Sequence, residues 1–309
     1  MKAVRIDNFG SPEVIQLEEV PKPKPGEGEV LVQVKAAGVG PWDALIRSGR
    51  SAIPQPLPLT LGSDVAGVIE SIGSGVDGFR AGDEIFGVTN ERFTGGYAEY
   101  ALAKASMIAH KPKSLNFPHA ASVPVVAVTA WQMVFELAQV LPGQTVLVQG
   151  GAGNVGAYAV QFAKQAGAMV VATASRADAN YVGRIGADGV LDYHKIQFEE
   201  QVKQMDAVLD TVGGETLERS YGVLKRGGIV VSSAAKPSEK SADQYGVRAL
   251  FFLVQVTSKR LTRIGEMIDA GKLKSEVGEV LGLFEARKAH EMLEGAAHRR
   301  GKIVIKVAD

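Results

Sequence analysis

The 309-residue chain contains no cysteine, which excludes disulfides, thiolate nucleophiles, cysteine-held iron–sulfur clusters and any zinc site built on sulfur. Neither charge sign is in surplus: 34 Lys plus Arg face 34 Asp plus Glu. No net field draws the chain to nucleic acid or to an anionic membrane. Long apolar runs are missing as well, so no membrane span is expected, and the opening MKAVRIDNFG lacks the apolar core of a signal peptide. The five histidines, His110, His119, His194, His290 and His298, are scattered and form no H-E-x-x-H pair, so no metal site is expected. What these absences leave is a cytoplasmic α/β protein, with 46% hydrophobic residues to fill its core.

The two halves differ in texture. Residues 1–118 hold short β-rich runs such as EVLVQVKAAGV (Glu29–Val39) and VAGVIESIG (Val65–Gly73), broken by PKPKPGEGE and by scattered Gly and Pro. That pattern predicts a mostly antiparallel, partly closed β-domain with little helix. From about Ala120 the rhythm becomes alternating. A helix is expected over 126–138, then strand 145–150, helix 154–167, strand 168–175, helix 179–187 and strand 189–193. Helix 198–205, strand 207–213, helix 215–224 and strand 227–233 follow, with a surface loop over 234–246. The strands are short, Val-rich and nearly continuously apolar, as expected when helices cover both faces of a parallel sheet. Such βα units predict a doubly wound Rossmann sheet. A helix around 261–270 and a closing strand, GKIVIKV (Gly301–Val307), return to the first domain.

The segment VLVQGGAGNVG (Val146–Gly156) ends a strand, opens a helix and spaces Gly150, Gly153 and Gly156 as G-x-x-G-x-x-G. In that setting a dinucleotide pyrophosphate rests on a helix N-terminus. Gly150 permits the tight turn, Gly153 lets backbone N–H groups approach phosphate, and Gly156 allows close helix–strand packing. Asn154 tolerates a left-handed backbone, and Val155 completes the loop. A nucleoside-triphosphate loop is excluded, because Gly156 is followed by Ala157 and Tyr158 rather than by Lys and a hydroxyl residue.

The end of the second strand selects the dinucleotide. An NAD site places an acid there for the ribose hydroxyls; this chain reads ATASR, with Ser175 and Arg176 in that place. Arg offers a planar, permanently charged fork for a 2′-phosphate, so NADPH is the expected cofactor. Asp178 is expected to sit in the turn that follows.

GVGPWDALIRSG (Gly38–Gly49), LGSDVAGVIESIGSGV (Leu61–Val76), GDEIFG (Gly82–Gly87), GGYAEY (Gly95–Tyr100), the Gly150 loop, LDTVGG (Leu209–Gly214) and RGKIVIKV (Arg300–Val307) follow one another in a specific order. In these motifs the chain resembles the medium-chain dehydrogenase/reductase superfamily, in its zinc-free quinone oxidoreductase branch. The resemblance implies a GroES-like catalytic domain (1–118 and 256–309) split around a Rossmann NADP-binding domain (119–255). It also implies an active site between the two and a homodimer or larger assembly as the common state. It further implies cofactor contacts at Thr129, at Thr211, along the backbone of Phe251–Leu253 and at Lys302.

Two departures from the branch pattern stand near the implied substrate site. Gly40 replaces the Asn of G-V-N-P-x-D, and Ser51 stands where many relatives carry Tyr. With no zinc to polarise a simple ketone, hydride transfer is easiest to an acceptor that spreads its own negative charge, a quinone or an α,β-unsaturated carbonyl compound. Tyr97 is the first hydroxyl to consider as proton donor, or else a packing residue at the domain junction. Ser51 is the second, and Trp42 is an expected aromatic wall. Asp43 is expected to hold its own loop. A zinc-free alcohol or aldehyde reductase of the same superfamily and a non-catalytic NADPH-binding protein are the rival readings.

Overall fold

The computed structural model describes residues 1–308. The chain divides into two compact units, one built from Met1–Val125 with the segment from Val256 onward, the other from Val126–Gln255.

The first unit opens with strands β1 (Lys2–Ile6), β2 (Gln16–Glu19) and β3 (Glu29–Val39), then helix α1 (Pro41–Arg47). Strands β4 (Leu59–Thr60), β5 (Asp64–Ile72), β6 (Glu84–Val88), β7 (Tyr100–Lys104) and β8 (Ile108–His110) lead to helices α2 (Phe117–Ala121) and α3 (Pro124–Trp131). The second unit continues with β9 (Thr145–Gln149), α4 (Asn154–Gln165), β10 (Met169–Ala174), α5 (Ala179–Arg184), β11 (Gly189–Asp192) and α6 (Phe198–Gln201). It closes with β12 (Met205–Asp210), α7 (Gly214–Ser220), β13 (Leu224–Ser232), α8 (Glu239–Tyr245) and β14 (Arg248–Phe251). The return to the first unit supplies α9 (Ser258–Asp269), β15 (Val277–Gly282), α10 (Ala286–Leu293) and β16 (Lys302–Lys306).

In the first unit the long strand β3 pairs antiparallel with β5, β7 and β16, and the main sheet runs β15-β16-β3-β5-β6-β8 with β7 on β3. The C-terminal strand reads KIVIK because it lies inside this sheet, where Ile303, Val304 and Ile305 are buried. Val30, Val32, Val34, Ile69, Ile85 and Ile303 belong to one apolar core, whose β-branched side chains suit a pleated, covered surface. The GroES-like expectation of a mainly antiparallel domain is met.

The second unit is a six-stranded sheet in the order β11-β10-β9-β12-β13-β14, parallel throughout. The first strand lies between the second and the fourth, so strand order reverses at β9. Ligands of open α/β sheets bind beyond the carboxyl ends of the strands at such a reversal. The Rossmann expectation is met.

Several predicted boundaries move. The stretch read as a surface loop over 234–246 contains α8, which Ser238 caps by accepting from the Ser241 N–H at 3.1 Å and Gly246 ends at φ +64°. A short polar helix has too narrow an apolar face to be seen in composition. The helix expected over 198–205 stops at Gln201, and Gln204 takes a left-handed φ of +56° before β12 begins. The helix expected over 126–138 changes at Gln132 to a π-helical turn, Gln132–Leu137, where the Gln132 side chain accepts from the Gln255 N–H at 2.9 Å. Among the described residues no helix is long and apolar enough to cross a membrane.

Candidate cofactor crevice and buried polar network

At the end of β9, Gly150 turns the chain with φ +76°, a backbone that a Cβ would strain. A Cβ built there would also lie 2.8 Å from the Thr211 hydroxyl oxygen. One built at Gly156 would fall on the Gly150 carbonyl, so only glycine lets the first turn of α4 rest against the loop. Gly153 caps α4 and is more open, its nearest neighbour being the Gly150 oxygen at 3.3 Å. The first N–H groups of a helix have no intrahelical acceptor and carry its positive dipole end; here they belong to Asn154, Val155 and Gly156. The loop flanks a crevice of about 670 Å³ with Gly150, Ala152 and Gly153 on one side and Thr211, Glu215 and Arg219 on the other.

The far end of the crevice carries Ser175, Asp178 and Tyr193. The Ser175 hydroxyl donates to Asp178 Oδ2 at 2.8 Å. Asp178 does sit in the turn before α5, as its N-cap, and it also lines the crevice, which sequence spacing did not reveal. Arg176 is exposed and is not among the lining residues. Arg219, absent from the sequence-based candidates, lines the crevice with its guanidinium 4.9 Å above the Phe198 ring and ion-paired to Glu199 at 3.4 Å. Its spacing from Glu215, four residues apart on α7, was the available signal.

The remaining cofactor candidates fall in different settings. Thr211 lines the crevice and donates its hydroxyl to the Gln149 carbonyl at 2.7 Å. Thr129 is buried within α3. Phe251 and Leu253 lie at and just beyond the end of the edge strand β14 and are 41% and 58% exposed. Lys302 is 1% exposed inside the first unit, with its ammonium 3.3 Å from Asp64 Oδ2 and 4.1 Å from the Trp42 ring centre. Its charge is paired there with Asp64.

Around Lys302 the first unit gathers a buried polar network. Asp43, in the first turn of α1, accepts the Gly40 N–H at 2.8 Å and the Tyr97 hydroxyl at 3.0 Å, both on Oδ2. Asp64 Oδ1 accepts the Val125 N–H at 3.1 Å. The Trp42 indole donates to the Ser63 hydroxyl at 3.1 Å. Burial pushes Asp43 up to about 7, against the Gly40 N–H and the nearby Lys302 charge, which favour its ionised form. Burial raises Asp64 to about 6 in the same way, opposed by Lys302. The Lys302 ammonium is lowered by burial, which the two carboxyls counter.

Tyr97 is wholly buried, and burial beside Asp43 holds its phenol well above the ordinary range. Of the two roles expected for Tyr97, burial and the bond to Asp43 support the packing role. Asp43 holds its loop as expected. Ser51 is half-buried and accepts the Ile53 N–H at 3.2 Å, leaving its own proton for another acceptor. Trp42 is half-buried, and a Cβ on Gly40 would fall within its indole ring. The glycine that departs from the branch pattern is thus the floor on which Trp42 lies. Asp64 and Ser63 escaped sequence reading because a polar pair inside an apolar strand start has no periodicity to mark it.

Residues 26–113 match the family described as alcohol dehydrogenase GroES-like domain, and residues 185–305 match the family described as zinc-binding dehydrogenase. The 2-methylene-furan-3-one reductase of Solanum lycopersicum is 34% identical over 99% of this chain and 79% of its own length. The solved quinone oxidoreductase of Coxiella burnetii is 35% identical and superposes with a TM-score of 0.92, covering 99% of each chain. That of Escherichia coli, in complex with NADPH, is 28% identical with a TM-score of 0.89, covering 99% of this chain and 100% of its own. The side chains present do not fit the zinc of the second family description. Cysteine is absent from the chain, and among the described residues no three His, Asp or Glu side chains come together to hold a metal.

Proposed function

The chain belongs to the quinone oxidoreductase branch of the medium-chain dehydrogenase/reductase superfamily, and on that premise we propose that it transfers hydride from NADPH to a quinone or an α,β-unsaturated carbonyl compound. The observation that carries the reading is the glycine-floored crevice at the strand-order reversal, whose α4 N–H groups stand unpaired by the helix and whose loop a Cβ at Gly156 would push away from α4. These residues fit a dinucleotide.

A bound reduced nicotinamide supplies the hydride. The chain supplies position: Gly150, Gly153, Asn154, Val155 and Gly156 hold the pyrophosphate, while Thr211 and Thr129 border the nicotinamide end. The Phe251–Leu253 backbone remains a candidate contact there. Acceptors that delocalise their own charge need no Lewis acid, which suits a chain with no donor set for zinc. The relative from Solanum lycopersicum is by its name a 2-methylene-furan-3-one reductase, and the two solved relatives named above are quinone oxidoreductases. With Tyr97 committed to Asp43, the Ser51 hydroxyl is the protein donor proposed for the oxygen that gains charge, and Trp42 the aromatic wall for a flat acceptor.

Arg176 supports NADPH as the partner of the 2′-phosphate. A second reading, NADH, is favoured by one observation: the Asp178 carboxylate lines the crevice beside Ser175, where it would accept from ribose hydroxyls and repel a phosphate. The edge strand β14 exposes Leu250 and Phe251, and Leu253 just beyond it is exposed as well, which supports a homodimer through that edge.

The test is loss of reduced-nicotinamide absorbance with an ortho-quinone, a linear enone and a simple aldehyde, for the parent and for Gly156→Ala. Turnover of quinone or enone by the parent, lost in the variant, is expected. Aldehyde turnover alone, or nucleotide binding with no turnover of any acceptor, would replace this reading with one of its rivals.

A further inference from the structure

The crevice floor is crossed by a one-directional chain of hydrogen bonds. The Gly150 N–H donates to Thr173 Oγ1 at 3.0 Å, and the Thr173 hydroxyl donates to Gln149 Oε1 at 2.8 Å. Gln149 Nε2 donates to Ser220 Oγ at 3.1 Å, and the Ser220 hydroxyl donates to the Thr216 carbonyl at 2.7 Å. Gln149, Thr173 and Ser220 are all at most 3% exposed. Every donor points the same way, from the phosphate loop towards α7, so the amide orientation of Gln149 follows from its two neighbours. The two ends of this chain are the two walls of the crevice: Gly150 belongs to the loop, and Thr216, with Glu215 and Arg219, to α7.

We infer that Gln149, Thr173 and Ser220 are positioning residues that set the spacing between the phosphate loop and α7 before a dinucleotide enters. The inference rests on the crevice being the dinucleotide site. Physically, the Gly150 N–H is turned inward to Thr173, and the Thr173 carbonyl accepts the next N–H, that of Gly151, at 2.8 Å. One residue therefore fixes two successive peptide planes and leaves the following N–H groups of α4 facing the crevice. Buried donors and acceptors left without partners are costly, so the loop has no cheaper arrangement while the relay is whole. A loop held in advance binds its ligand without an ordering cost.

Thr173→Val removes the hydroxyl at nearly constant volume, whereas Thr173→Ser keeps it. Dissociation constants for NADPH and NADH are measured by titration, together with kcat at saturating nucleotide and the thermal midpoint. Expected for Thr173→Val is roughly tenfold weaker binding of both nucleotides by the same factor, about one lost buried hydrogen bond, with saturated kcat within about twofold. Thr173→Ser should return binding to within about threefold of the parent. Ser220→Ala tests the far end through a residue that does not line the crevice; about threefold weaker binding of both nucleotides is expected, with the fold intact.

Parent-like affinities in Thr173→Val and Ser220→Ala would overturn the inference while leaving the dinucleotide site standing. So would a loss that Thr173→Ser shares in full, because that loss would come from packing and not from the hydroxyl. Failure of the parent to bind either nucleotide would overturn the proposed function itself, and the inference with it.

Discussion

The Tyr97 hydroxyl and the Asp43 carboxylate meet 3.0 Å apart in the interior of the first unit, with neither side chain exposed. The phenol is thereby a partner of a buried acid. Tyr97→Phe is expected to cost about 1–2 kcal/mol of stability, the range for a buried hydrogen bond to a carboxyl group. Turnover of an enone should stay within about twofold. Thermal unfolding and steady-state kinetics on one preparation check this, and a large fall in kcat at an unchanged melting temperature would restore Tyr97 to the mechanism.

Asp43 gives the first unit a signed response to pH. Its pKa is raised on folding from 3.8 to about 7, so the folded chain holds this proton more tightly than the unfolded one. The associated stability is complete below 3.8 and is lost as pH rises through about 7. Asp64, raised to about 6, acts in the same sense. His290 opposes them: burial beside Arg47 lowers it from 6.5 to about 3, so its contribution is present above 6.5 and lost as pH falls through 3. Asp43→Asn should therefore flatten the decline of the melting temperature between mildly acid and neutral pH. Parallel profiles for parent and variant would show that Asp43 titrates normally.

Arg176 and Asp178 make opposite demands on the cofactor. If the arginine holds a 2′-phosphate, Arg176→Ala weakens NADPH binding by roughly tenfold and leaves NADH unchanged. If the carboxylate holds a ribose diol, Asp178→Asn weakens NADH binding by a similar factor and improves NADPH. Paired titrations of both nucleotides against both variants separate the two cases.

Gly40 and Trp42 are coupled by shape. A methyl group at position 40 would fall within the indole ring, while the Gly40 backbone itself, at φ −138°, suits any residue. Gly40→Ala should cost about 1–3 kcal/mol through overpacking. In a Trp42→Ala background the same change should be nearly neutral, a coupling visible in a double-mutant cycle. Additive losses would mean that the ring and the glycine are independent. The same experiment tests the proposed role of Trp42 as acceptor wall: on that proposal, displacing the indole alters KM for bulky quinones more than for small enones.

The parts of this protein that could be read from the chain are those written in local pattern. Val-rich strands of β9, β10 and β12 alternate with helices at regular spacing, and parallel pairing behind such a rhythm has few topologies. The glycines at 150, 153 and 156 are legible for a related reason: a tight turn and a close helix contact admit no Cβ, so the backbone demand appears directly as residue type. The absence of cysteine ruled out sulfur-held metal before any fold was known.

Other residues depended on who their neighbours turned out to be. Lys302 looks like an available cation in GKIVIKV, yet β16 enters the sheet beside β3 and delivers its ammonium to Asp64 and beneath Trp42. Tyr97 looks like a catalytic hydroxyl until its whole surface is covered. Asp178 looks like a turn residue until the turn carries it to the crevice wall, and Gln149 looks like the last residue of an apolar strand until its amide joins two walls. Local backbone preference acts over a few residues and leaves its mark in the chain. Burial, charge pairing and pKa arise between segments separated by tens to hundreds of positions, and they take definite values once packing has brought those segments together.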